Sequence, residues 1–324
     1  MSHGICVLPN IGNTCYINSI IQILLHTDEL NNILENTTSL KNTMESMIVK
    51  HWKDLHQKTR ISQNISPNNL IFSIRKCIKQ MDNSDQQDAS EFLIQLIDIF
   101  KMALSKPVKI NISGKYINPG NNIYLECYQR IKQLYSNEYS ELVNLFNGML
   151  ITEVTDINQT LISRTFDPYC ILQLPTPTIP VSTIYDCLDL LWSTETLTDY
   201  KVTIGTNMKN TPVKKTYYLW LTPKILILYL KKYNTHNKFN TYIDIPHQLD
   251  LSKYLYTGCV DNPLYRLYAV CNHTGNLNYG HYYSYVFVPP INKWVMFNDD
   301  RKPVVINENQ ISTNHAMCVF YRKI

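Results

Sequence analysis

The chain has 324 residues, 44% hydrophobic and 17% charged, with 30 Lys+Arg against 26 Asp+Glu for a formal charge of +4. That balance is too apolar for a disordered chain and too polar for a membrane protein, and so small and dispersed a charge argues against nucleic-acid binding. The longest apolar runs, such as Ile225 to Leu230, fall far short of a membrane span, and no basic-apolar-small signal pattern opens the chain, so an intracellular protein is expected.

In chain order, Ile17, Ile20, Ile21, Leu24 and Leu25 recur at helical spacing just after the turn signal Gly12-Asn13, which places Cys15 at a helix N-terminus. Weaker helical patterns follow near 28–58 and 68–81. Ala89, Phe92, Leu93, Leu96, Ile97 and Phe100 form one stripe, and Ser84 with Gln87 three residues on reads as a capping box, predicting a helix over 85–103. A further helical segment spans 123–147. From residue 149 the character changes to β-branched and aromatic runs: Met149 to Val154, Thr165 to Leu174, Thr216 to Trp220, Ile225 to Tyr233, Leu264 to Asn272, His281 to Val288 and Lys293 to Asn298, with one short helix over Val181 to Leu191. A helical first part, 1–147, followed by a strand-rich second part, 148–324, predicts an α+β fold with two lobes and a cleft between them.

Chemistry-bearing residues cluster in three places. A thiol at a helix start, such as Cys15, sees unpaired amides and the positive end of the dipole, which favours the nucleophilic thiolate; the bland alternative is a buried structural cysteine. His281 opens a predicted strand directly after Gly280 and is the kind of base such a nucleophile needs, unless it is an ordinary surface histidine. Asn298 and Asp299 end the next strand, where one of them could accept the other imidazole NH and fix the tautomer, or simply form a turn. The nine cysteines are odd in number and irregular in spacing, with no CxxC pair, as expected of reduced thiols without a structural zinc site.

Together these segments resemble the ubiquitin-specific protease family of deubiquitinating enzymes. Asn10, Gly12, Asn13, Thr14, Cys15, Tyr16, Asn18, Ser19 and Gln22 stand as in the family's cysteine box, and Gln87-Asp-Ala-Ser-Glu-Phe-Leu resembles its second helix motif. Leu221 to Tyr233 resembles a strand that usually ends Lys-Arg-Phe, Tyr265 to Gly275 leads into Gly280-His281 as the histidine box does, and Trp294 to Asp299 completes the set. The resemblance covers residues 8–299 and implies one catalytic domain over 1–324, a papain-like helical thumb and β-rich palm with a β-fingers extension. It implies a thiol isopeptidase acting at the C-terminal glycine of ubiquitin, with ubiquitin and ubiquitinated proteins as partners and no cofactor.

Residue by residue, the resemblance makes Cys15 the nucleophile, His281 the base and then acid, Asn298 the orienting third member and Asn10 the oxyanion side chain, with Asp299 in support of the oxyanion or the histidine. Asp88 and Glu91, at i and i+3 on one helix face, would present carboxylates to the basic ubiquitin tail, together with Gly280 and Tyr282. His273 is the competing base, ranked second because His281 alone leads the strand that reaches Asn298. The alternatives are a ubiquitin-binding pseudoenzyme and a protease for another ubiquitin-like modifier.

Where some family members carry two CxxC pairs at the fingertips, this chain has Val154 to Thr160 and Lys201 to Asn207, without cysteine, so zinc-free fingers are expected. The short flanks of the motifs suggest a minimal catalytic domain. The Asn- and Ile-rich usage fits AT-rich codons, as in a large DNA virus or an AT-rich microbe, in which case host proteins in a host cell or virion setting become candidate substrates.

Overall fold

A computed structural model of the chain describes residues 4–62, 64–81, 87–113, 123–204, 207–233, 239–259, 261–276 and 279–324. Seven helices precede the first strand among them: α1 (Cys15–Leu25), α2 (Asp28–Asn36), α3 (Met44–Thr59), α4 (Asn68–Cys77), α5 (Ala89–Leu104), α6 (Ile123–Tyr135) and α7 (Leu142–Phe146). The strands are β1 (Gly148–Asp156), β2 (Leu161–Tyr169), β3 (Leu172–Pro175), β4 (Val181–Thr183), β5 (Glu195–Ile204), β6 (Asn207–Leu221), β7 (Ile225–Lys231), β8 (Tyr242–Asp244), β9 (Gln248–Asp250), β10 (Leu264–Gly275), β11 (Gly280–Val288), β12 (Lys293–Asn298), β13 (Arg301–Ile306) and β14 (Ala316–Lys323), with α8 (Ile184–Leu191) between β4 and β5. The α+β class therefore stands.

The strands form a four-stranded ribbon ordered β2-β1-β6-β5 and a large sheet ordered β13-β12-β11-β10-β14-β7-β3, with β9 beside β10 and a small β4–β8 pair apart. Every residue of α1 is buried, and the helix packs on β11, β10 and β12 on one side and on α5 on the other. Strand alternation explains how one sheet serves two cores. On β11, Tyr282, Val286 and Val288 face the helices, whereas Tyr283 and Tyr285 face the second core under α8. A third, smaller core of Cys127, Met149, Ile151, Phe166 and Trp220 lies between α6 and the ribbon.

Several boundaries differ from the sequence expectations. The 28–58 segment is two helices, and Thr165 to Leu174 is divided between β2 and β3. Val181 to Leu191 begins as a strand; α8 starts after Thr183, which forms a capping box with Asp186. The helix expected over 85–103 starts at Ala89, because Asp88 is its N-cap, accepting from the amides of Ser90 and Glu91 at 2.6 and 3.3 Å. The Ser84 cap falls outside the described residues. β5, β8, β9, β13 and β14 were not expected as strands. The outer part of β6 carries no apolar alternation, and that of β5, Leu197 and then Tyr200, Val202 and Ile204, is interrupted by a register shift; pairing within the ribbon holds both extended.

Candidate active site

The cysteine segment is built by its own polar side chains. Gly12 and Asn13 take left-handed backbone conformations, φ 83° and 51°, which turn the chain tightly into α1. Asn10 Oδ1 accepts from the Thr14 amide at 3.1 Å, Thr14 Oγ1 accepts from the Ile11 amide at 3.0 Å, and Arg75 of α4 donates to the Gly12 carbonyl at 3.3 Å. Cys15 emerges as the first helical residue, almost fully buried.

Opposite it, the β11–β12 register brings the start of one strand to the end of the next. His281 Nε2 meets Asn298 Oδ1 at 2.6 Å, and the same ring is hydrogen-bonded to Cys15 through its other nitrogen. An amide oxygen can only accept, so Nε2 carries a proton and Nδ1 faces sulfur. The bond to Cys15, aided by Asn298 and Asp299 and opposed by partial burial, pushes the His281 imidazole up to about 9, so the ring is an imidazolium at neutral pH.

Asp299 ties the two halves together. It sits in the left-handed region, φ 47°, at the turn after β12; its Oδ2 accepts from Asn10 Nδ2 at 2.9 Å and its Oδ1 from Asn18 Nδ2 at 2.9 Å, while its carbonyl takes the Leu8 amide at 3.1 Å. Asn18 also donates to the Leu8 and Pro9 carbonyls at 3.2 and 3.1 Å. One hydrogen of the Asn10 amide is thus committed to Asp299 and the second is left to aim at a substrate. Asn18 had no role in the sequence reading although it lies within the cysteine box. An amide on the inner face of α1, one turn from the nucleophile, was the available signal.

Burial raises Cys6, Cys170 and Cys187 to about 11 and Cys127 to about 12; it also raises Cys77, Cys259, Cys271 and Cys318.

With this geometry in place, a family model described as ubiquitin carboxyl-terminal hydrolase matches residues 6–321. The chain belongs to that family. It is 30% identical over 336 residues to ubiquitin carboxyl-terminal hydrolase Usp2 of Drosophila melanogaster, covering 99% of this chain and 35% of that protein. It is 28% identical over 340 residues to ubiquitin carboxyl-terminal hydrolase 2 of Homo sapiens, covering 99% of this chain and 55% of that one. The chain thus spans about a third to about half of these relatives' lengths. Among solved structures, a SAGA DUB module bound to monoubiquitin shares the fold with a TM-score of 0.79 at 20% identity, over 100% of this chain and 70% of that one. A SAGA DUB module bound to ubiquitin aldehyde does so with a TM-score of 0.77 at 21% identity, over the same shares.

Two of the residues expected to meet a ubiquitin tail have structural partners of their own. Asp88 is not on the helix face beside Glu91: its carboxylate caps α5 through Oδ1 and accepts from the Tyr229 hydroxyl at 3.2 Å through Oδ2. The helix starts later than its apolar stripe suggests, and the first unpaired amides take the nearest carboxylate. Glu91 remains exposed, its carboxylate 3.5 Å from Gln95 Nε2. The Tyr282 ring is buried against the helical core, because β11 turns that position inward. Gly280 lies against His273, whose Nε2 occupies the space a Cβ would need. His273 pairs across the hairpin with Tyr282, on the face opposite His281, and its Nδ1 is 2.6 Å from the Tyr233 hydroxyl. Alternation thus separates the two candidate bases, and only His281 shares its face with Asn298.

Proposed function

We propose that this hydrolase is a thiol-dependent deubiquitinase that cleaves isopeptide or peptide bonds at the C-terminal glycine of ubiquitin. The observation that carries the reading is one imidazole hydrogen-bonded on one side to Cys15 and on the other to Asn298. The names of the relatives and the ubiquitin-bound titles of the structural neighbours support the substrate class.

The geometry performs the chemistry in two halves. Cys15 sulfur, paired with the His281 imidazolium, attacks the glycine carbonyl carbon, and negative charge gathers on the carbonyl oxygen. The second hydrogen of Asn10 Nδ2 and the Cys15 amide at the head of α1 receive that charge; one such donor is typically worth about 3 kcal/mol. His281 Nδ1 then gives its proton to the departing lysine amine, leaving a thioester on Cys15. In the second half Nδ1 takes a proton from water, whose oxygen adds to the thioester carbonyl, and the collapse expels the Cys15 sulfur and releases ubiquitin's carboxylic acid, which loses its proton to solvent. Asn298 holds the ring through both halves, and Asp299 holds Asn10.

The fingers are proposed to work without zinc. At the described tip, Asp156 Oδ1 accepts from the Asn158 and Thr160 amides, both at 2.8 Å, and closes the β1–β2 turn where metal ligands would otherwise sit. No sulfur or imidazole is available there for a tetrahedral site. The side chains of 202–207, within the second stretch considered, lie outside the described residues.

The test of the activity is reaction with ubiquitin bearing a C-terminal electrophile. An adduct on Cys15, lost in Cys15→Ala, is the expected result. Folded protein that binds ubiquitin yet forms no adduct and cleaves no chain would replace the enzyme with a binding module.

A further inference from the structure

The tyrosine that ends the Lys231-Lys232-Tyr233 run stands where the resembled strand motif has phenylalanine, and its hydroxyl is put to use. The Tyr233 oxygen lies 2.6 Å from His273 Nδ1 and 3.5 Å from Met317 Sδ, so the hydroxyl hydrogen-bonds one nitrogen of the His273 ring and holds that ring in a single tautomer. On its other side the His273 ring stacks on Tyr282, with ring centroids 4.4 Å apart and planes tilted by 38°. The Tyr282 hydroxyl in turn accepts from the Ala89 amide, and Tyr229 donates to Asp88. Tyr229 of β7, Tyr233 just beyond it, Tyr282 of β11 and His273 of β10 therefore fasten the start of α5 to the hairpin that carries His281.

The consequence falls on Gly280. His273 Nε2 lies against the Gly280 Cα, so the position of the ring sets how the backbone runs in the residue before His281. We propose that the Tyr233–His273 hydrogen bond is a positioning device for the substrate's C-terminal segment. Tyr233 locks the His273 ring, the ring fixes the Gly280 backbone, and that backbone forms the ledge on which the extended tail lies as it enters the cleft. The inference rests on the deubiquitinase reading and deepens it. Burial raises the Tyr233 hydroxyl, so it stays protonated at every working pH. Because His273 and His281 project from opposite faces of the hairpin, loosening the first leaves the Cys15–His281–Asn298 line in place.

The experiment is the Tyr233→Phe variant of the full chain, which removes one oxygen and keeps the ring, assayed on ubiquitin with a C-terminal fluorogenic amide. KM is expected to rise about 3- to 10-fold, the net worth of one hydrogen bond expressed as a ratio, with kcat held within about twofold. The second signature is spectroscopic: 15N spectra of the His273 ring, one tautomer in the parent, become a tautomer mixture in the variant. In a His273→Gln background, the Tyr233→Phe change is expected to have no further effect on KM. An active parent whose Tyr233→Phe variant keeps KM, or changes KM with an unaltered His273 spectrum, overturns this inference alone. A parent that hydrolyses no ubiquitin derivative overturns the deubiquitinase reading and this inference with it.

Discussion

The catalytic junction and the β-ribbon are held together in opposite ways. At the junction, side chains join segments that are distant in sequence: Asn10 reaches Asp299 across 289 positions and Asn18 reaches it across 281. In the ribbon of β1, β2, β5 and β6, order comes from neighbouring strands in register, a local turn at Asp156 and one small core under α6. The junction is specified by particular atoms, so single changes there alter chemistry. The ribbon is specified by backbone pairing, so single changes there alter stability by small amounts.

The harshest way to test that contrast is Cys15→Ala, which should leave the fold intact and lower kcat/KM by about 10⁴-fold or more, read by hydrolysis of a ubiquitin-derived isopeptide. Next comes Asp299→Ala. It frees Asn10 and Asn18 and also removes a carboxylate that helps hold the His281 proton, and kcat should fall about 100-fold, approaching the loss from Asn10→Ala itself. Equal activity in the parent and Asp299→Ala would show that the clamp is idle.

A pH profile sharpens the junction further. The His281 ring keeps its proton up to about 9, held first by Cys15 and then by Asn298. Above that pH the imidazolium is lost and no proton remains for the lysine amine, so kcat/KM on an isopeptide should decline on the alkaline side near 9. Asn298→Ala removes a group that raises the ring, and the alkaline limb should move to lower pH. A limb that stays in place would separate Asn298 from the titration. The smallest effect is expected in the ribbon: Asp156→Ala should cost about 1 kcal/mol of stability by denaturant unfolding, with kcat unchanged. Elemental analysis finding about one zinc per chain would break the zinc-free account of the same region.

Much of the junction was legible because catalysis demands rare residue types at fixed places: a cysteine at a helix start, a histidine after glycine, an amide at a strand end. The role of Asp299 was legible only as a choice between oxyanion and histidine. Its contact with Asn18 depends on where a turn after β12 meets α1, which no local pattern states. Asp88 shows the opposite error. Spacing put it on a helix face, but the apolar stripe does not reveal which residue caps the helix, and one turn of difference converted a presumed surface carboxylate into an N-cap. In the ribbon, β1 and inner β6 were legible from their β-branched and aromatic runs, whereas the apolar alternation of β5 is broken by a register shift and outer β6 has few apolar residues, so those two owe their strand state to each other.

The contrast among the nine thiols has a practical meaning for selectivity. Cys15 alone is hydrogen-bonded to a charged imidazole, while burial raises each of the other eight and keeps it a neutral thiol at physiological pH. The fold thus acts as a set of protecting groups. A mild electrophile offered to the whole chain finds one sulfur among nine with an imidazole partner, so a covalent inhibitor can draw its selectivity within the molecule from that pairing and needs shape only to distinguish this protein from others.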